Sequence, residues 1–135
     1  MPYYIRAKTY YRYAEEQLSE AEKAQEAEKK LKFSREAVER AARALWAIVQ
    51  IEAPKEKTPL ERIFRELDRA VEPWLAKEIR KAWERINALQ GSTRQEEAQE
   101  AVELARFVVR RTKEVLEPII GPTDTLFKKR KLYLI

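Results

Sequence analysis

The stretch FSREAVERAARALWAIVQIEA, residues 33–53, decides the fold of this chain. Its middle, residues 44–49, is the longest uninterrupted apolar run in the sequence. Trp46 and Ala47 spread the apolar surface around the helix, so its second half has to be covered on most sides. The sequence therefore predicts a central helix against which the other helices pack. Its apolar residues recur at steps of three and four, as one helical face requires: Val38, Ala41, Ala42, Leu45, Ile48 and Val49.

The composition indicates a single all-α domain. The chain has 135 residues, of which 44% are hydrophobic and 38% charged, and it contains only two glycines. Such a length is enough for one core that buries about two-thirds of the unfolded surface. A balance rich in Ala, Leu, Glu, Lys and Arg and poor in turn residues is typical of helices.

Cysteine and histidine are both absent from the sequence. Their absence excludes disulfides, thiolate metal sites, cysteine nucleophiles and histidine bases. The two glycines, Gly91 and Gly121, are too few for a P-loop or a dinucleotide-binding turn. We therefore predict no catalytic residue, no metal site and no cofactor.

Hydropathy favours a cytoplasmic protein without membrane contact. No segment approaches the roughly 18 apolar residues of a membrane span, and the N-terminus lacks the apolar core of a signal peptide. High charge of both signs, no Cys and a single Asn favour a thermophilic source.

Local signals place the first two helices. Helix one is predicted to begin near Tyr3 and to run for about 25 residues. A mostly charged stretch, residues 22–32, is expected to link it to helix two. Ser34 is the predicted N-cap of helix two, which then starts at about Arg35.

Prolines and capping boxes place the later helices. Thr58 and Glu61 form a capping box with Pro59 at the first position of helix three, and Pro73 predicts a break or kink before helix four. Helix four stops at Gly91. Short loops favour an up-and-down antiparallel bundle of four to five helices over residues 1–121. A second capping box, Thr93 to Glu96, predicts the start of helix five. Helix five is predicted to end at Pro118 or at Gly121 and Pro122.

Residues 122–135 are predicted to form a basic tail or docking arm. Four basic residues and one acidic residue give this segment a charge of +3, which leaves +2 for the rest of the chain. Its apolar residues, Leu126, Phe127 and 132–135, are expected to dock on the bundle or on a second subunit. A symmetric homodimer in which each tail covers the other chain is one such arrangement.

Basic residues on helix five and in the tail are the candidate binding site. Arg62, Arg65 and Arg69 form a second basic row on helix three. Solvated ion pairs with acidic neighbours such as Glu103 and Glu114 are the alternative to phosphate binding. The predicted nucleic-acid-binding residues are Arg106, Arg110, Arg111, Lys128, Lys129, Arg130 and Lys131.

Three segments together carry a resemblance to a known family. They are YAEEQLSEAEKA (13–24), REAVERAARALWAI (35–48) and EEAQEAVELARFVVRRTKEVLE (96–117). In order and in their Ala-rich faces they resemble the HEPN family of small archaeal and bacterial helical bundles, over most of residues 3–118. The resemblance implies an antiparallel bundle, often homodimeric and commonly paired with a minimal nucleotidyltransferase. Active members are ribonucleases with an arginine and, a few residues later, a histidine; this chain has no histidine, so no catalytic residue carries over.

Three functions stay open from the sequence. The first is a non-catalytic binding module of HEPN-like type that binds nucleic acid or a nucleotide through basic residues. The second is a protein-interaction partner, as a homodimer or with a nucleotidyltransferase-like protein, without nucleic-acid binding. The third is an unusual ribonuclease that uses only Arg, Lys, Tyr and Glu.

Overall fold

The computed structural model describes residues 3–50 and 57–121. Within these ranges the chain forms five α-helices and no strand, which confirms the predicted all-α bundle. None of these helices has the length and the hydrophobicity needed to cross a bilayer. The helices are α1 (Tyr4–Lys23), α2 (Ala27–Val49), α3 (Leu60–Ala70), α4 (Pro73–Leu89) and α5 (Gln95–Ile120).

Contacts at the helix ends fix the helix directions. The Tyr3 N–H donates to the Ala47 carbonyl at 3.3 Å, so α1 begins where α2 ends. The side chain of Gln90 donates to the Leu31 carbonyl at 3.0 Å, so α4 ends where α2 begins. The short loop 90–94 then returns the chain antiparallel as α5. α1 and α4 therefore run in one direction, and α2 and α5 run in the other.

The helix α2 lies at the centre of the bundle, as its sequence predicts. All seven residues from Ala41 to Ala47 are buried, and α2 contacts each of the other four helices. Small side chains permit this arrangement, because helices can approach closely where alanines face one another. The fully buried alanines of the α1–α2 pair include Ala7, Ala14, Ala37, Ala41 and Ala44.

The predicted start of helix two is wrong. α2 begins at Ala27 and not at Arg35, and only residues 24–26 link it to α1. Ser34 is not an N-cap; it is completely buried inside α2. The charged residues of this stretch are good helix formers that face outward, while Ala27 and Leu31 turn into the core, so tertiary packing extends the helix.

Both predicted capping boxes are also wrong. Pro59 is the N-cap of α3, and no side chain caps that helix; the Pro59 carbonyl accepts the N–H groups of the first turn instead. α5 has Arg94 as its N-cap, again without a side-chain cap. The Ser92 hydroxyl accepts the Arg94 N–H and donates to the Glu97 carboxylate, so it orders the loop before α5 without capping the first turn.

The prolines and glycines of α4 and α5 lie at or near the ends of these helices. Pro73 is the first residue of α4, so the predicted break between α3 and α4 is confirmed as a full separation. α5 continues through Pro118 and ends before Gly121, whose φ is +82°. Gly91 has φ +87° just beyond the end of α4. The predicted tail, with Lys128, Lys129, Arg130 and Lys131, lies outside the described residues.

Close packing around α2 makes a direct prediction. Ala41→Leu inserts a larger side chain into a fully buried position and is expected to destabilise the protein by about 1–3 kcal/mol. Ala88→Leu, at an exposed position of α4, makes the same chemical change as a control and is expected to leave stability nearly unchanged. Urea unfolding followed by circular dichroism measures both. Equal stabilities for the two variants would contradict the close packing at Ala41.

Candidate nucleic-acid interface

Charge is separated between the two ends of the bundle. One end, here called the positive end, contains the first halves of α1 and α4 and the second halves of α2 and α5. It carries twelve basic and four acidic residues, a net charge of +8. The opposite end, residues 15–36 and 82–104, carries seven basic and twelve acidic residues, a net charge of −5. The positive end consists of residues 3–14, 37–50, 73–81 and 105–121.

Two of the predicted arginines on α5 form ion pairs. Arg106 Nε lies 3.4 Å from the Glu22 carboxylate of α1, and an Arg111 terminal nitrogen lies 3.1 Å from Glu114. Glu114 was an expected acidic neighbour, whereas Arg106 pairs across helices with Glu22 and not with Glu103. Both pairs are partly exposed, so they contribute little to stability.

Arg110 differs from its two neighbours. Its side chain is exposed, and it forms no ion pair within residues 3–50 and 57–121. Lys77 and Lys81 on α4 are likewise exposed and unpaired in the described part of the chain. Arg110, Lys77 and Lys81 lie on α4 and α5. Within the positive end, these two helices contain seven basic and three acidic residues, a net charge of +4.

The three arginines of the second row, on α3, are exposed, and among the described residues only Arg62 forms an ion pair. Arg62 pairs with Glu66 at 3.5 Å, and the same carboxylate accepts hydrogen bonds from Trp46 Nε1 and, at 2.8 Å, from Gln50. Residues 57–72 contain four basic and four acidic residues, so this segment has no net charge.

An arginine flanked by two exposed aromatic rings lies on the positive end. The Arg111 guanidinium carbon is 5.6 Å from the Trp74 ring centroid and 5.2 Å from that of Phe107. Trp74 is 50% exposed and Phe107 37% exposed. The Nε atom of Arg111 is buried and has no hydrogen-bond partner. We call Trp74, Phe107 and Arg111 the aromatic platform.

Sequence reasoning missed two members of this platform. Neither Trp74 nor Phe107 is among the predicted binding residues. An antiparallel alignment of α4 and α5 would have placed residue 74 near residue 111, but the sequence contains no signal that sets this register.

A bidentate ion pair connects α4 and α5. Arg85 donates to both carboxylate oxygens of Glu100, at 2.6 and 3.0 Å. Trp74 is eleven residues before Arg85 and Arg111 eleven residues after Glu100, so the same antiparallel register brings the platform together. Hydrogen bonds from Arg85 lower the pKa of the Glu100 carboxyl, and the bond to Glu100 raises the pKa of Arg85.

Two clefts in the described residues lie away from this surface. Both are open and are found at the opposite end, near the α1–α2 link and the loop 90–94, where acidic and basic side chains mix. No group of acidic residues in the described ranges could hold a metal ion.

The basic tail begins at the positive end. Gly121 ends α5 there, and Lys128 is seven residues farther along the chain. An extended chain of that length reaches at most about 25 Å, so the four tail cations start within reach of this end. The tail adds a charge of +3.

Comparison with known proteins gives no identification. No family model, curated protein or solved structure matches the chain. The resemblance to the HEPN family therefore stays a prediction.

The Arg85–Glu100 pair makes a pH-dependent prediction. Because the folded-state pKa of Glu100 is lowered, the pair stabilises the protein above the ordinary carboxyl pKa, and this contribution is lost as pH falls through the folded-state pKa. In Arg85→Gln, the Glu100 pKa is expected to rise toward its ordinary value in a carboxyl-detected NMR titration. The difference in melting temperature between the two proteins should shrink from pH 7 to pH 3. An unchanged Glu100 titration in the variant would contradict the assigned cause.

Proposed function

We propose that this chain is a non-catalytic nucleic-acid-binding module of HEPN-like type. It binds phosphates through the positive end of the bundle and through the tail cations Lys128, Lys129, Arg130 and Lys131. The proposal rests on the net charge of +8 at this end of the bundle. Residues 122–135, which follow α5 in the sequence, add a net charge of +3. Counterion release from a polyanion is the driving force that such a surface supplies.

An extended polyanion suits this surface better than a single nucleotide. Mononucleotide sites are concave and place several polar groups around one ligand. The clefts among the described residues lie instead at the end with a charge of −5. Arg110, Lys77 and Lys81 are spread over two helices, which favours successive phosphates of one strand as their ligands.

Most acidic side chains of the positive end are paired with cations. The positive end has four acidic residues, and three of them are in ion pairs: Glu39 with Arg43, Glu114 with Arg111 and Glu117 with Lys113. A paired carboxylate repels a polyanion less than a free one does. This pairing favours phosphate binding, and no product is expected from RNA incubated with the protein.

Removal of the tail tests the first half of the proposal. The full chain is expected to bind labelled RNA and DNA with micromolar affinity in fluorescence anisotropy, and a chain ending at Gly121 is expected to bind more weakly. For each phosphate that the tail neutralises, its removal should lower the slope of log affinity against log salt by about 0.7 to 0.9. Identical affinities and salt slopes for both chains would exclude the tail from the interface.

Charge substitutions test the positive end itself. Lys77→Gln, Lys81→Gln and Arg110→Gln, combined in one variant, remove three exposed cations and are expected to weaken binding about tenfold or more. Lys23→Gln, Lys29→Gln and Lys32→Gln, combined in a second variant, remove three exposed cations from the opposite end with the same change in net charge. This control is expected to bind nearly as well as the unmodified chain. Equal losses in the two variants would mean that net charge alone, and not the positive end, governs binding.

Exposed apolar residues support a second candidate, a protein-interaction module. Ile5 is 82% exposed and Ile119 is 48% exposed, both at the positive end. A homodimer or a complex with a nucleotidyltransferase-like partner would cover such side chains. If neither RNA nor DNA binds the full chain at low salt, this candidate replaces the first, and the solution mass from light scattering decides whether the partner is a second copy.

A further inference from the structure

Trp74 and Phe107 are the most exposed tryptophan and phenylalanine in the described part of the chain, and Tyr4 and Tyr13 are the other exposed large rings there. Trp46 is only 3% exposed and Phe64 only 4% exposed, whereas Trp74 and Phe107 keep half and more than a third of their surfaces open. Exposed tryptophan costs hydration free energy that burial would recover. Both rings nevertheless lie on the charged positive end, on the same two helices as Lys77 and Arg110.

Helix geometry and ion pairing hold the platform in place. Trp74 is the second residue of α4, directly after Pro73, and Phe107 lies one turn before Arg111 on α5. Both ring centroids are within 5.6 Å of the same guanidinium carbon, so the rings are neighbours across the α4–α5 interface. The Glu114 carboxylate pairs with the same guanidinium at 3.1 Å. A surface fixed before binding loses little entropy when a ligand arrives.

The chemistry of the platform matches a flat, π-bonded ligand attached to phosphate. Exposed aromatic rings next to a cation stack on nucleobases, and nearby cations contact the backbone of the same strand. An apolar protein partner would instead require a continuous apolar area, and here Arg110, Arg111 and Lys77 interrupt it. A duplex keeps its base faces stacked inside the helix, where these rings cannot reach them.

We propose, on the basis of the proposed nucleic-acid binding, that the ligand is single-stranded and that its unpaired bases stack on Trp74 and Phe107 beside Arg111. The positive end then supplies phosphate contacts, and the aromatic platform selects strands with free bases. Sequence preference should be weak, because every base offers a π face.

A comparison of two probes separates stacking from charge. One is an oligouridylate of about twelve nucleotides, and the other is an abasic oligonucleotide of the same length and charge. The unmodified chain is expected to bind the oligouridylate about tenfold or more tightly than the abasic strand, and more tightly than a duplex of equal length. Trp74→Ala and Phe107→Ala should each weaken oligouridylate binding about fivefold or more and leave abasic binding unchanged.

Two further variants act as controls for structure and for the loss of exposed surface. Phe107→Tyr keeps an aromatic ring and should retain oligouridylate affinity. Ile119→Ala removes a comparably exposed apolar side chain that has no π face, and it should leave binding of both probes unchanged. Circular dichroism of each variant verifies that the helices persist.

The outcomes distinguish this inference from the proposed function. Equal affinity for the two probes, or equal loss of both in Trp74→Ala, overturns the stacking role while nucleic-acid binding stands. Tighter binding of the duplex also overturns it. Failure of all probes to bind at low salt overturns the proposed function itself, and the stacking role with it.

Discussion

Burial of residues 41–47 of α2 on all sides is the constraint on which the rest of this structure depends. These residues are buried without interruption and all but Arg43 are apolar, and each of the other four helices contacts α2. Alanines such as Ala37, Ala41 and Ala44 let those helices approach closely. Hydrophobic burial of this one segment therefore determines how many helices are needed and how they are arranged.

The arrangement around α2 also determines the electrostatics. Basic residues are concentrated in the first half of α1 and the second half of α5, and antiparallel packing brings these segments to one end. Twelve basic residues with only four acidic ones at one end give a net repulsion that opposes folding. Ion pairs such as Arg111 with Glu114 offset part of it. A persistent charge of this kind fits a polyanionic ligand, which would relieve the repulsion on binding.

The aromatic platform depends on the register of two helices. The bidentate Arg85–Glu100 pair connects α4 and α5. The same antiparallel register brings Trp74, eleven residues before Arg85, next to Arg111, eleven residues after Glu100. Two bundle features, a charged end and a fixed pair of exposed rings, thus arise from one antiparallel alignment. A binding surface built on helices keeps its geometry without a ligand, which a loop of similar composition would not.

The sequence by itself determined the all-α class, the central helix, the separation at Pro73 and the absence of cysteine or histidine chemistry. These follow from local periodicity, from proline's lack of an N–H and from composition, which need no knowledge of distant contacts. It also pointed to the arginines of α5 and to Glu114 as an acidic neighbour, although not to Glu22 as the partner of Arg106. Only the tertiary structure decided that α2 begins at Ala27, that Ser34 is buried, and that Trp74 and Phe107 flank Arg111. These features depend on pairings between residues far apart in the chain, and the free energy of such packing overrides the local capping signals.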